Sequence, residues 1–176
     1  MWYIYLIAAI IVIYTISTFN YFKRTYEMIL QEKSGIDIAL TARYDVLTKM
    51  QNTVKGYVKH EKTTFVEVTK VRKGMSVEEL SQTESQMKNA LHEINALVES
   101  HPELKASINF MEMQKVISNS EDNLQAARRA YNATVSEYNG KVASFPSCLV
   151  ALLAGAKRES FFEAELEKTA DVRIDF

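Results

Sequence analysis

The sequence predicts an all-α protein in which an N-terminal membrane-spanning helix precedes a body of long, packed helices. Three observations support this: an uncharged apolar start, apolar residues that recur every three or four positions after it, and only five Gly and two Pro in 176 residues. Helical periodicity with few helix breakers is typical of one helical domain. The net charge is −1 and acidic and basic residues are interspersed. The sequence therefore lacks the basic patch of a nucleic-acid-binding protein, and no nucleic-acid partner is expected.

The apolar start, residues 2–22, reads WYIYLIAAIIVIYTISTFNYF and contains no charged side chain. As a helix it would extend about 32 Å, enough to cross a hydrocarbon core. A cleaved signal peptide is disfavoured, because no basic residue precedes the run and no small-residue cleavage site follows it. We expect a single-pass protein of the cell membrane. The positive-inside rule predicts that its N-terminus is outside and its body cytoplasmic, since the basic residues follow the span: Lys23, Arg24, Lys33 and Arg43. A body of this length can also be translocated whatever its flanking charge.

After the anchor, alternating steps of four and three residues select a mostly apolar set, which predicts the buried face of a helix. The set is Phe22, Tyr26, Ile29, Lys33, Ile36, Leu40, Arg43, Leu47, Met50, Val54, Tyr57, Glu61, Thr64, Val68 and Val71. The period never breaks, but we expect a turn near Tyr44 and Asp45. Asp45 is a suitable N-cap, and one helix of about 50 residues would lack a partner of equal length.

Capping signals divide the rest of the body. Gly74 suits a helix C-terminus with positive φ, and Ser76 with Glu79 forms a capping-box pattern. The helix that follows should end near Ser100 and bury Val77, Leu80, Glu84, Met87, Leu91, Ile94 and Val98. Pro102 suits the first turn of the last long helix, and the Phe145–Pro146 pair should end it. The buried stripe of that helix is Phe110, Met113, Ile117, Ser120, Leu124, Ala127, Tyr131, Val135, Tyr138 and Val142.

Several motifs resemble the LemA family of bacterial membrane proteins. In chain order they are RYDVLTKMQNTVKGYVKHE, HPELKASINFMEMQ, SEDNLQAARRAYNATVSEYN, FPSCLVALLAGAKRESFFEAE and the closing VRIDF. They follow the order and spacing of the family over nearly the whole chain, which makes the resemblance specific. The family often has a proline where this chain has Thr48, so a softer turn is expected there.

The resemblance implies an N-terminal transmembrane helix, residues 1–22, that carries an antiparallel up-and-down four-helix bundle with long helices over residues 23–145. An apolar and aromatic C-terminal segment with a tail, residues 146–176, would follow. The family has no established reaction, so neither an enzymatic activity nor a cofactor is implied. One related branch takes part in building magnetosome membranes, and family genes often lie beside genes for other membrane or protease-associated proteins.

These implications favour a scaffold or adaptor in membrane organisation or protein assembly. Its expected partners are the lipid bilayer, through residues 2–22, and unidentified membrane or membrane-associated proteins. Homo-oligomerisation is left open.

Glu61 lies on the predicted buried face, where an isolated carboxylate is costly. We therefore expect it to pair with one of three arginines, Arg43, Arg128 or Arg129, and to fix the register of the helices. The alternative is a metal-dependent sensor or enzyme that uses the His60 and Glu61 region. A zinc helix needs a second ligand at helical spacing, as in HExxH, and position 64 is Thr, so we expect no metal ligand and no catalytic residue.

Asn132 and Asn139 flank the buried stripe of the last long helix. Their heptad spacing favours hydrogen bonds that align neighbouring helices, and the alternative is a polar groove for a peptide or a lipid headgroup. Tyr131 and Tyr138, which are also seven residues apart, belong to the stripe itself and are expected to be buried.

The segment 145–162 is the candidate membrane or partner surface. Its apolar run is too short to span a bilayer, and a basic pair and two phenylalanines follow it. In an up-and-down four-helix arrangement the last helix returns toward the anchor, which would place this segment at the membrane. A short helix that caps the bundle would explain the same pattern. The candidate residues are Phe145, Leu149, Leu152, Leu153, Lys157, Arg158, Phe161 and Phe162.

Overall fold

The computed structural model describes residues 1–57 and 68–163, and all regular secondary structure in this part of the chain is helical. The helices are α1 (Trp2–Tyr57), α2 (Val77–Glu99), α3 (Pro102–Lys105), α4 (Ile108–Ala143) and α5 (Ser147–Ala154). The all-α class is therefore confirmed. Of these described helices three are long and two are short, so the count of four bundle helices is not confirmed.

Contacts divide the chain into two compact units. The first contains residues 1–35 and 127–161, and the second contains residues 36–126 and residues from 162 onward.

α1 is one continuous helix, and the predicted turn near Tyr44 and Asp45 is wrong. Asp45 is an exposed residue within the helix, so its preference for the N-cap is not used. A cap contributes only about 1 kcal/mol. Across this point the apolar face continues without a gap, and each buried Leu or Met contributes about 1.5–3 kcal/mol. Burial of the continuous face therefore outweighs the local capping preference.

The buried face of α1 follows the predicted period through the described residues. Its buried members are Phe22, Ile29, Ile36, Leu40, Arg43, Leu47, Met50 and Val54. Tyr26 is 39 % exposed and Lys33 is half-buried. α1 is described as far as Tyr57, residues 58–67 lie outside the described part of the chain, and the chain is not helical from Val68 to Ser76. The prediction that the same helical face continues to Val68 and Val71 is therefore wrong.

α2 begins and ends as its capping signals predict. The Ser76 side chain accepts a hydrogen bond from the Glu79 backbone N–H at 3.1 Å, and the Glu79 carboxylate accepts one from the Ser76 backbone N–H at 2.6 Å. Ser100 is the C-cap residue. Gly74 has the expected positive φ of 89°, but it lies in a turn that precedes α2 and not directly after a helix.

The last predicted helix is divided in two. Pro102 does begin a helix, but α3 has only four residues, and α4 starts separately at Ile108 and ends before Phe145, as expected. The predicted stripe of α4 is largely buried: Phe110, Ile117, Ser120, Leu124, Tyr131, Val135 and Tyr138. The 3.6-residue period thus identified the packed face although it did not locate the break.

In the first unit, α4 runs antiparallel to α1. Tyr21 and Phe22 of α1 contact Glu137 and Tyr138 of α4, whereas Gly35, further along α1, faces the earlier Ala127. A Cβ added to Gly35 would lie 3.9 Å from the Cβ of Ala127, which is an ordinary van der Waals contact, so the two helices are neighbours at this point. The order of these contacts fixes which part of α4 lies beside each part of α1.

The N-terminal third of α1 exposes its apolar side chains. The helix contains a stretch near the N-terminus that is long and apolar enough to cross a bilayer, and none of that stretch is buried within the protein. Its exposed members include Ile4, Ile7, Ile10, Ile11 and Ile13. An exposed apolar helix surface of this length is typical of a segment that contacts lipid.

Candidate functional site

The candidate site lies in the first unit, where α1, the C-terminal part of α4, α5 and residues 155–161 meet. Phe22 packs edge-on against Tyr138, with ring centroids 5.8 Å apart, and Tyr26 lies 6.4 Å from the same ring. Beside them the Tyr21 hydroxyl donates to the Glu137 carboxylate at 2.8 Å. Aromatic packing and a hydrogen bond therefore join α1 to α4 at the end of the uncharged stretch.

Tyr131 and Asn139 of α4 bind the backbone of the chain that follows α5. The Asn139 amide donates to the Glu159 carbonyl at 2.8 Å and accepts from the Glu159 N–H at 2.9 Å. The Tyr131 hydroxyl donates to the Ser160 carbonyl at 2.9 Å. As predicted, Tyr131 and Tyr138 are buried. Asn139, one of the two asparagines for which the sequence left cross-helix bonds or a ligand groove open, thus binds the backbone of a non-helical segment of the same chain.

A small pocket of about 250 Å³ lies beside this segment. Its lining is aromatic on one side and includes two lysines and one carboxylate: Phe22, Lys23, Tyr26, Tyr138, Ala154, Gly155, Ala156, Lys157 and Glu159. Burial raises the pKa of the Tyr138 phenol above its ordinary value of 10.0, and the charge of Glu159 and the neighbouring Tyr26 raise it further. The phenol is therefore neutral at physiological pH.

α5 exposes one apolar face and buries the other. Ser147, Val150 and Ala151 are buried, and the Ser147 hydroxyl donates to the carbonyls of Lys141 and Ser144. Gly155 ends the helix with a φ of 66°, which its missing Cβ permits. The exposed apolar side chains are Phe145 (81 %), Leu149 (57 %), Leu152 (80 %) and Leu153 (80 %).

The remaining predicted surface residues differ in exposure. Lys157 and Arg158 are exposed, and Phe161 is 45 % exposed. Phe162 is buried, at 2 % exposure, so it is not part of the surface predicted for it. In the second unit the chain is also held just after this residue, where the Ser81 hydroxyl donates to the Glu163 carbonyl at 2.6 Å. The sequence marked Phe161 and Phe162 as a pair, but the two side chains differ in exposure.

Arg43, the cation predicted on the buried face of α1, is 2 % exposed and pairs with Glu121 of α4 in the second unit. Arg128 is half-buried and Arg129 is exposed. Asn132 is half-buried. Glu61 and His60 lie outside the described residues, so the predicted pairing of Glu61 stays a prediction. The sequence offered no signal that Glu121 would be the partner, because it is one of many carboxylates on helix surfaces.

Within residues 1–57 and 68–163, no group of three or more His, Cys, Asp or Glu side chains is arranged to hold a metal ion. The two described histidines belong to the second unit, whereas the candidate site is in the first. His92 is exposed, and the His101 ring nitrogen Nδ1 lies 2.9 Å from the Leu97 carbonyl. Cys148 is half-buried on α5 and is not bonded to another cysteine.

Comparison with known proteins identifies the family. The sequence profile of the LemA family matches residues 32–176, which is most of the chain. The chain belongs to the LemA family. It is also similar to Protein LemA of Metamycoplasma hominis, with 28% identity over 158 residues that cover 87% of this chain and 72% of that protein. This match extends beyond the residues of the family profile toward the N-terminus, because it covers more of the chain.

Two further relatives of this LemA-family chain are magnetosome proteins. Magnetosome protein MamQ 2 of Paramagnetospirillum magneticum is 31% identical over 75 residues, which are 43% of this chain and 28% of that protein. Magnetosome protein MamQ of Magnetospirillum gryphiswaldense is 28% identical over 74 residues, which are 42% of this chain and 27% of that protein. The chain thus matches only about a quarter of the length of these magnetosome proteins.

Proposed function

We propose that this LemA-family chain is a single-pass, membrane-anchored scaffold or adaptor without enzymatic activity. Residues 2–22 anchor it in the cell membrane, and its cytoplasmic body holds other membrane or membrane-associated proteins. The observation that carries the proposal is the continuity of α1. The same helix exposes its apolar side chains near the N-terminus and, from Phe22 onward, buries one face in the core.

This continuity supports a scaffold for a mechanical reason. A flexible linker would let a body sample many orientations above a bilayer, whereas an uninterrupted helix fixes the direction in which the packed residues leave it. Contacts of Phe22 and Tyr21 with α4 begin immediately after the uncharged stretch. The first unit is therefore presented close to the membrane at a defined angle, which favours simultaneous contact with lipid and with neighbouring proteins.

The relatives agree with a role at membranes. Two of them are named as magnetosome proteins, and the family match covers the body of this chain. The cytoplasmic location of the body rests on the basic residues that follow the span. A cysteine that replaces the exposed Asn89, in a chain with Cys148→Ser, tests it: an impermeant thiol reagent should label it only after the cells are permeabilised. Labelling of intact cells would place the body outside.

Proximity labelling tests the scaffold role. A labelling enzyme is joined to the full-length chain, and the control joins the same enzyme to residues 1–22 alone. We expect the full-length chain to label a reproducible set of proteins that the control does not label. Identical sets would show that the body recruits nothing.

Metal analysis of the purified full-length chain addresses the enzymatic alternative, because a stoichiometric metal would favour a metal-dependent activity over a scaffold.

A further inference from the structure

The register of α4 against α1 determines the level that α5 occupies. Tyr138 lies against Phe22, the last residue of the uncharged stretch. α4 then continues for five more residues to Ala143. Because the two helices are antiparallel, these residues run about 7 Å back alongside the uncharged stretch. Thr15 and Thr18 in that stretch are half-buried although most of their neighbours are exposed, as this placement requires.

The chain at and after this level has the composition of a lipid-facing segment. From Ser144 to Ala156 it contains no charged side chain. Its exposed residues Leu149, Leu152 and Leu153 follow the spacing of one helical face, and Phe145 precedes them. The opposite face, with Val150 and Ala151, is buried within the unit. The exposed leucines are thus held outward by a packed helix, not by a loose loop.

The far end of α5 returns to the level where charge begins. Ala154, Gly155 and Lys157 line the same pocket as Phe22 and Lys23. α5 therefore starts beside the uncharged stretch and ends beside the first basic residues of α1. Arg158, next to Lys157, is also exposed. An apolar helix face that adjoins a group of basic side chains matches the boundary between acyl chains and phosphates, where interfacial helices typically insert about 5–10 Å deep.

We propose that α5 and Phe145 form an interfacial helix that inserts into the leaflet on the side of the body, with Lys23, Lys157 and Arg158 at the level of the lipid phosphates. The proposal rests on the anchoring role proposed for residues 2–22, because the bilayer position of α1 sets the depth of α5. The occupant of the apolar face is the bilayer itself, and the basic residues favour anionic lipids. The body is then attached to the membrane at two places, the anchor and α5.

Single nitroxide labels in the full-length protein test this. Each label replaces one residue in a Cys148→Ser chain that is reconstituted in vesicles of phosphatidylethanolamine and phosphatidylglycerol. Leu152 reports on α5, Ile10 on the anchor, and the exposed Asn89 of α2 on the solvated body. At Leu152 and Ile10 we expect greater accessibility to oxygen than to a water-soluble nickel chelate, and at Asn89 the reverse order. The depth at Leu152 should be shallower than at Ile10.

Three results would overturn the inference. If Leu152 behaves like Asn89 while Ile10 remains in lipid, α5 is solvated and the anchoring role stands without it. If Ile10 also behaves like Asn89, anchoring fails and the insertion of α5 fails with it. If Leu152 is shielded from both reagents and its spectrum shows dipolar broadening, a second copy of the chain covers the face in place of lipid.

Discussion

The attachment of residues 159–160 to α4 predicts a specific loss of stability on removal of the Asn139 side chain. Asn139→Ala removes both hydrogen bonds to Glu159, and Asn139 is only 8 % exposed. Each bond contributes about 1 kcal/mol, and a buried backbone group without a partner costs about 1–3 kcal/mol. Because Glu159 is half-buried and water reaches part of the site, we expect a loss of about 2–3 kcal/mol in the free energy of unfolding.

Tyr131→Phe provides a graded comparison. It removes one hydrogen bond, to the exposed Ser160, and keeps the buried ring, so we expect a smaller loss of about 0.5–1 kcal/mol. Ser136→Ala is the matched control, because Ser136 is an exposed residue of the same helix. Its unfolding free energy should stay within about 0.5 kcal/mol of the wild type.

Urea unfolding of the full-length protein in detergent, followed by circular dichroism, measures these differences. With an m-value of about 2 kcal/mol per molar urea, Asn139→Ala should lower the midpoint by roughly 1–1.5 M. Hydrogen exchange supplies a local measurement, since the Glu159 amide donates to Asn139 and should exchange faster in the variant. The reasoning is refuted if the midpoint of Asn139→Ala equals that of Ser136→Ala and exchange at Glu159 is unchanged.

Three further predictions concern other parts of the protein. Leu152→Glu with Leu153→Glu should change the unfolding free energy in detergent by less than about 0.5 kcal/mol, because both side chains are exposed, but should speed hydrogen exchange of α5 in vesicles; unchanged exchange would contradict insertion. Glu121→Ala leaves the charge of buried Arg43 without its partner and should cost about 2–4 kcal/mol, whereas Arg43→Met should be neutral or stabilising in the same unfolding assay; equal losses would contradict this. Above pH 10, the unfolding free energy of the wild type should fall relative to that of Tyr138→Phe. Folding raises the pKa of the Tyr138 phenol, so its stabilising contribution is complete below the pKa of the unfolded chain and is lost as the pH rises through the folded pKa; parallel curves of unfolding free energy against pH would contradict this.

The sequence predicted the packed faces of the helices better than their ends. Burial of Leu40, Leu47 and Met50 follows from a 3.6-residue period, because a repeated apolar face gains most when it is buried along its whole length. The ends depend on smaller energies. Asp45 had the chemistry of an N-cap, but a preference of about 1 kcal/mol does not interrupt a continuous buried face. Ser76 did act as a cap. Its helix begins after a turn, so the capping box does not interrupt a continuous buried helix face there.

The candidate site was only partly predictable, because it depends on contacts between residues that are far apart in the sequence. The apolar character of Leu149, Leu152 and Leu153 was visible in the sequence, and their exposure was not, because it depends on which face of α5 meets its neighbours. The partner of Asn139 is a backbone group 20 residues away, and a backbone group carries no sequence signal. The side-chain pairing of Arg43 with Glu121 joins residues 78 positions apart, and tertiary packing alone selects this carboxylate from the others.

In the membrane-anchored protein proposed above, the uninterrupted α1 makes the orientation of the first unit dependent on the thickness of the surrounding bilayer. A spanning helix tilts when its apolar length exceeds the hydrocarbon thickness, and the cost is a fraction of a kcal/mol per Å of mismatch. No break separates Trp2 from the residues that pack against α4. A thinner bilayer would therefore increase the tilt of α1 and reorient the first unit with it. The lipid composition around the anchor would then change the orientation of the first unit at the membrane.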